Sequence, residues 1–155
     1  MLFRSKSGAL ATLSARRIWN EAVAALDEER TGKLFEEFVA RGLFSTLPVV
    51  TPERLPETVA ALGRLGAVRD ELDPEVAAAA GKLLLVAGLV RDGREDIVLA
   101  VQEGSKAVKR ARAVLDGIAA GQAPSDLVDL VAAYALAGSE ALRMALESAL
   151  QGGGD

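Results

Sequence analysis

The sequence predicts an all-α chain: a single helical bundle of five or six helices led by a basic N-terminal helical arm. Three observations predict it. Apolar residues recur at helical spacings, proline and glycine fall where helices should start and stop, and Ala, Leu and Val dominate a chain that is 50% hydrophobic but only 4% aromatic. At 155 residues it is long enough for one domain with a sizeable core. Small side chains let helices approach closely, so few ligand-sized cavities are expected. The expected layout is an N-terminal helical arm with an aromatic patch at 1–42, a Pro-containing loop at 43–55, the helical bundle at 56–150 and a flexible tail at 151–155.

The first helix is expected over 7–30. Its apolar residues share no single face: Leu10 and Leu13 point one way, whereas Ile18, Trp19, Ala22 and Leu26 point nearly opposite. Two readings stay open, a helix packed against two neighbours and an arm that orders on a partner. Thr31-Gly32 can cap a new turn or bend the same helix, after which Leu34, Phe35, Phe38 and Val39 form an apolar face ending at Gly42. Phe44 joins Phe35 and Phe38 in a local aromatic cluster, either a plug that closes one end of the bundle or a partner-binding patch. Leu47-Pro48 through Thr51-Pro52 reads as loop, because each proline restricts itself and the residue before it.

A helix is expected over 56–72, weakened by Gly63 and Gly66. The next stretch, 73–121, is the centre of the chain. Asp73 is placed as N-cap and Pro74 where its missing donor costs nothing, and the helix should run to Arg91 and stop at Asp92-Gly93. Between Val76 and Val90 only Lys82 is charged, so this helix is apolar almost all round and should lie centrally. It is too short to span a bilayer. The run from Pro56 to Val68 matches Pro74 to Val86 at an offset of eighteen, a candidate internal repeat. The second helix of the pair, 95–120, repeats Ile97, Val101, Gly104, Val108, Ala111, Leu115 and Ile118 as a heptad stripe opposite a strongly basic face. The last helix should start at Ser125 as N-cap and continue to Leu150, with Ala133, Ala137, Ala141 and Ala145 in a row that lets another backbone come close.

Charge is partitioned along the chain, although the net value is only −4. Residues 1–20 contain Arg4, Lys6, Arg16 and Arg17 and no acid; residues 105–115 contain Lys106, Lys109, Arg110 and Arg112 and no acid. Residues 116–155 hold six acids against the single base Arg143. The average charge therefore says little about partners. No long apolar region follows Arg16-Arg17, so neither a transit peptide nor a twin-arginine signal is read there, and an intracellular or cytoplasmic setting, or a virion, is expected. One Asn, three Gln and no Cys hint at a thermophilic source.

Histidine and cysteine are absent, which removes imidazole bases, thiolate nucleophiles, disulfides and the usual zinc sites. The acidic clusters Glu36-Glu37, Asp70 to Glu75 and Glu95-Asp96 lack the Glu-x-x-His spacing of a di-iron bundle and read as solvated or capping groups. Thr31-Gly32-Lys33 lacks the glycine spacing and the preceding strand of a phosphate loop. The expected protein is non-enzymatic, with no catalytic, cofactor or metal residues, no cofactor and no small-molecule substrate.

Arg4, Lys6, Arg16, Arg17, Lys106, Lys109, Arg110 and Arg112 are the candidate nucleic-acid-binding residues, since phosphate contacts come chiefly from Arg and Lys. The competing reading pairs these bases with the acidic C-terminal helix. Phe35, Phe38 and Phe44 are the candidate partner-binding residues. In plan, the basic arm from Arg4 to Arg17 followed by an apolar bundle after Pro56 resembles the helical coat proteins of filamentous archaeal viruses, which wrap DNA; small helical subunits of RNA-guided defence complexes have the same outline. The likeness is one of layout without a motif and implies no family. The expected function is that of a structural or assembly subunit, partnered by itself or another helical subunit and gripping nucleic acid with its basic arm. The alternative is an adaptor or regulatory subunit that docks on a larger complex.

Overall fold

A computed structural model describes residues 7–152, with side chains from Ser14 onward. Arg4, Lys6 and the tail at 153–155 lie outside the described residues, as do the side chains of Leu10 and Leu13. The described chain is all helical: α1 (Ser7–Ala25), α2 (Thr31–Ala40), α3 (Leu55–Val68), α4 (Pro74–Arg91), α5 (Glu95–Ala100), α6 (Ser105–Ala119), α7 (Leu127–Ala137) and α8 (Glu140–Gly152), with short 3₁₀ turns at Leu43–Ser45 and Arg69–Glu71. These eight helices among the described residues exceed the expected five or six. Each of two expected long helices is broken, and in each case a left-handed backbone position explains why.

The first break divides 95–120. Gln102 has φ +62° and Gly104 φ +89°, so the chain leaves the helical region after Ala100 and re-enters it at Ser105. The Gly104 conformation, with ψ 165°, lies where essentially only glycine goes. The heptad stripe survives the break in part: Ile97, Val101, Val108 and Ala111 are buried, but Val114 takes the next core place while Leu115 and Ile118 are half-buried. The second break divides 125–150 at Gly138, φ +62°, where the Gly138 amide returns to the Tyr134 carbonyl. Ser139 then caps α8, its hydroxyl accepting from the Leu142 amide at 3.2 Å. The expected alanine row is thereby split between two helices, and α8 continues to Gly152, two residues into the expected tail.

Two capping expectations are also corrected. Asp126, not Ser125, caps α7, because its carboxylate accepts from the Asp129 amide at 3.1 Å. Asp73 does occupy the N-cap of α4, with extended φ −60° and ψ 142°, but its side chain makes no cap hydrogen bond. The helix ends at Arg91 as expected, with the Arg94 amide folding back to the Leu89 carbonyl.

α4 is the central element. Ten of its residues are buried, on every side of the helix, and it packs on α3, α5, α6 and α7. α8 covers α7, and α2 covers α3. Although Pro56 and Pro74 both sit in the first turn of a helix, α3 buries only Ala61, Leu62 and Leu65, so matching sequence occupies unlike environments. From Ala15 onward α1 is a cover rather than a free arm. Ala15, Trp19, Ala22 and Leu26 form one buried stripe, and α1 touches α2 and α5. No helix among the described residues is long and apolar enough to cross a membrane.

Candidate functional site

The N-terminal acid-free stretch reaches the break between α5 and α6, just ahead of the second basic stretch, where α1 packs on α5. Trp19 anchors the crossing: its indole is 2% exposed, and Nε1 donates to Glu103 Oε2 at 2.9 Å. The other oxygen of Glu103 pairs with Lys82 Nζ at 3.4 Å, so the one charge in the apolar run of α4 is answered by the turn. One turn earlier in α1, Arg16 Nη1 donates to Gln102 Oε1 at 3.0 Å. Left-handed backbone at a non-glycine residue costs about 1–2 kcal/mol. Gln102 adopts it at a point where its own side chain and that of its neighbour Glu103 are both engaged by α1.

Lys106 and Lys109 lie in the first two turns of α6, three residues apart and therefore on neighbouring faces. Both are exposed, and neither pairs with a carboxylate among the described residues. The N-cap of α6 is Gly104, which offers no side-chain cap, and the first turn contains no acid. A lysine there opposes the helix dipole. The start of α6 thus carries uncapped helix amides with Lys106 and Lys109, and the break before it holds Gln102, which Arg16 engages, and the Glu103 carboxylate.

The other candidate bases are placed differently. Arg110 is clamped by the start of α7, with Nε 2.6 Å from Asp129 Oδ1 and Nη2 3.0 Å from Asp126 Oδ1. The Asp129 hydrogen bond foremost, with the charges of both aspartates, holds this guanidinium even more firmly protonated than usual. Arg112 is paired with Glu95. Arg110 is answered by the acidic C-terminal stretch, as the competing reading has it, whereas Arg112 is answered by α5. Arg17 is exposed on the opposite flank of α1. It lines a recess of about 410 Å³ together with Ile18, Glu21, Phe38, Arg41 and Leu43, and neither Arg17 nor Arg41 pairs with an acid among the described residues.

The aromatic trio forms a single cluster, with ring centroids 5.8 to 5.9 Å apart. Phe35 is fully buried and Phe44 is 5% exposed, so as folded they present no surface to a partner; Phe38, half-buried, is the one that reaches the recess. Open surface recesses of about 270 to 410 Å³ lie between the helices. Small residues allow close approach where helices cross, yet leave open volume where they diverge, as Gly63 and Gly66 do in one recess. Among the described residues no three acidic side chains converge to hold a metal ion.

No protein-family model, curated protein or solved structure matches the chain. Its chemistry is therefore read from its own geometry. Sequence reasoning named Arg16 but missed Gln102 and Glu103, through which α1 is tied to the break before α6. The available signal was the Gln102-Glu103-Gly104 run, polar and glycine-ended inside an apolar stripe.

Proposed function

We propose that the chain is a non-enzymatic helical subunit that grips nucleic acid at the corner where α1 meets the break before α6. Arg16, Lys106 and Lys109 would take phosphates there; Arg4 and Lys6 belong to the same acid-free stretch of sequence as Arg16. The observation that carries this reading is the Arg16–Gln102 hydrogen bond, which joins the acid-free N-terminal stretch to the break just ahead of α6, where Glu103 is already answered by Trp19 and Lys82. A phosphate at that corner would turn the unfavourable placement of Lys106 into a favourable one. Arg110 and Arg112, already paired, would contribute little. Association with further copies would use exposed helix faces such as those bearing Leu99 and Met144, which are 54% and 60% exposed.

The test is fluorescence anisotropy with short labelled DNA and RNA at two salt concentrations, read beside light scattering. The expected result is binding that weakens steeply with salt, and a Lys106→Gln/Lys109→Gln variant whose log–log salt slope is shallower by about 1.4–1.8, two phosphate contacts fewer. Binding that is absent, or indifferent to those substitutions, would overturn this site.

A second reading, the adaptor subunit, is favoured by the recess beside Phe38, where Arg17 and Arg41 flank apolar Ile18 and Leu43. Protein-only association that is lost on Phe38→Ser while nucleic-acid binding stays absent would support it.

A further inference from the structure

A second recess, about 380 Å³ in volume, lies where α3, α4 and α7 meet the segment at 49–54 and shares no lining residue with the basic corner. That volume falls in the range of small-molecule sites. Its apolar wall is made by Val49, Val50, Ala61, Leu84, Leu85 and Leu136, and its polar side by three guanidiniums and two carboxylates. The two carboxylates are shared between two of the arginines. Arg54 reaches Glu57 Oε2 through Nη1 and Asp92 Oδ1 through Nε, both at 2.7 Å, and Arg91 Nη1 lies 3.7 Å from the same Glu57 oxygen.

Arg64 is the exception. Its Nε donates to the Ala135 carbonyl at 2.7 Å and its Nη2 to the Leu136 carbonyl at 3.4 Å, so both partners are neutral oxygens at the end of α7. Among the described residues no carboxylate answers this charge, and Nη1 donates to none of them. The guanidinium is therefore fixed in place, half-buried beside apolar walls, as a cap on the last carbonyls of α7, its full charge met only by the partial negative charge of that helix end. A planar guanidinium held this way is preorganised for a carboxylate.

Gly88 supplies an independent observation. Glycine in a helix interior weakens it relative to alanine, and close packing is the usual compensation. Here nothing lies within 4 Å of where a Cβ would stand, and the glycine lines the recess. As at Gly63 and Gly66 of α3, no neighbour fills the place of the missing side chain, and at Gly88 that leaves the recess open against the central helix.

We propose that this recess binds an organic carboxylate with an apolar body, its carboxylate paired to Arg64 and its body lying along Gly88 against Val50, Leu84, Leu85 and Leu136. The full chain would be titrated calorimetrically with octanoate and 4-phenylbutyrate, and with the matched alcohols 1-octanol and 4-phenylbutanol. The expected result is saturable one-to-one binding of at least one carboxylate, tighter than its alcohol by about tenfold or more, as loss of a charged hydrogen-bonding partner implies. Gly88→Leu fills the recess without touching a charge; it should keep the helical circular dichroism and thermal midpoint of the parent while losing the carboxylate. Arg64→Gln should bind carboxylate and alcohol alike. Because Arg64 also holds the end of α7, Gly88→Leu is the variant that decides if Arg64→Gln is unfolded. Absence of saturable binding by either carboxylate with a dissociation constant below about 1 mM, or undiminished binding by folded Gly88→Leu, would overturn the proposal. Nucleic-acid binding by Gly88→Leu should equal that of the parent, which separates this site from the basic corner.

Discussion

At the end of α7 a single side chain and a single missing one fit each other. Arg64 lies so close over Gly138 that a Cβ there would stand 2.9 Å from the guanidinium carbon, and Gly138 is also left-handed at φ +62°. Gly138→Ala should therefore cost about 1–2 kcal/mol in backbone conformation alone, plus whatever is lost when Arg64 is displaced. Urea unfolding of Gly138→Ala in the parent and in an Arg64→Ala background separates the two contributions. The backbone part should persist in both, and only the remainder should vanish in the second; equal costs would mean that Arg64 moves aside freely. Nothing in the sequence marks this pair, which is seventy-four positions apart. The basic character of Arg110 was legible and its pairing with the acidic C-terminal helix was one of two readings, but the partners Asp126 and Asp129 reach it only once α6 and α7 pack together.

Between residues and molecule, the breaks in the helices decide how the candidate site is built. If 95–120 were one helix, Gly104 would be a weak interior position, and replacing it with alanine would stabilise the protein by about 1 kcal/mol. In the broken arrangement Gly104 sits at φ +89° and ψ 165°, so Gly104→Ala should instead destabilise by about 1–3 kcal/mol. The two arrangements predict opposite signs, and a chemical-denaturation midpoint reads the sign directly. Loss of the break would also move Gln102 and Glu103 from Arg16 and Trp19, so the variant should bind nucleic acid more weakly if the basic corner is the site. Periodicity made the stripe through 97–118 visible because heptad spacing is a property of the sequence. It could not reveal that the stripe continues across an interruption, since a turn that returns the chain to nearly the same register leaves the pattern intact.

Over the whole molecule, the chain has no histidine and no cysteine, so no side chain has its ordinary pKa between about pH 5.5 and 8. Stability should be flat across that interval. Two carboxylates set the acid side: Asp96 is held below its usual range by the hydrogen bond from Arg94, and Glu140 by that from Arg143. Since both are depressed in the folded chain, their contribution is present above the unfolded values near about pH 4 and is lost as pH falls through the folded ones. Thermal melts from pH 8 to pH 3 should show a plateau followed by a decline beginning below about pH 4–5. A slope within the plateau would mean that some group titrates anomalously there. Both carboxylates are surface groups, so the decline should shrink in high salt.

Composition and spacing by themselves determined that the chain is all helical, that the helix from Pro74 to Arg91 is central, and that bases gather in two stretches. These are local or statistical properties: helix propensity, an apolar surface on every side, and the identity of neighbours in sequence. Tertiary structure alone decided the rest. It set α1 down as a cover along Ala15, Trp19, Ala22 and Leu26, buried Phe35 and Phe44, paired Arg110 and Arg112, left Lys106 and Lys109 exposed, and tied Arg16 to Gln102. The physical reason is that a charge is free or answered, and an aromatic ring hidden or offered, according to which distant element arrives beside it, and no periodicity encodes that arrival.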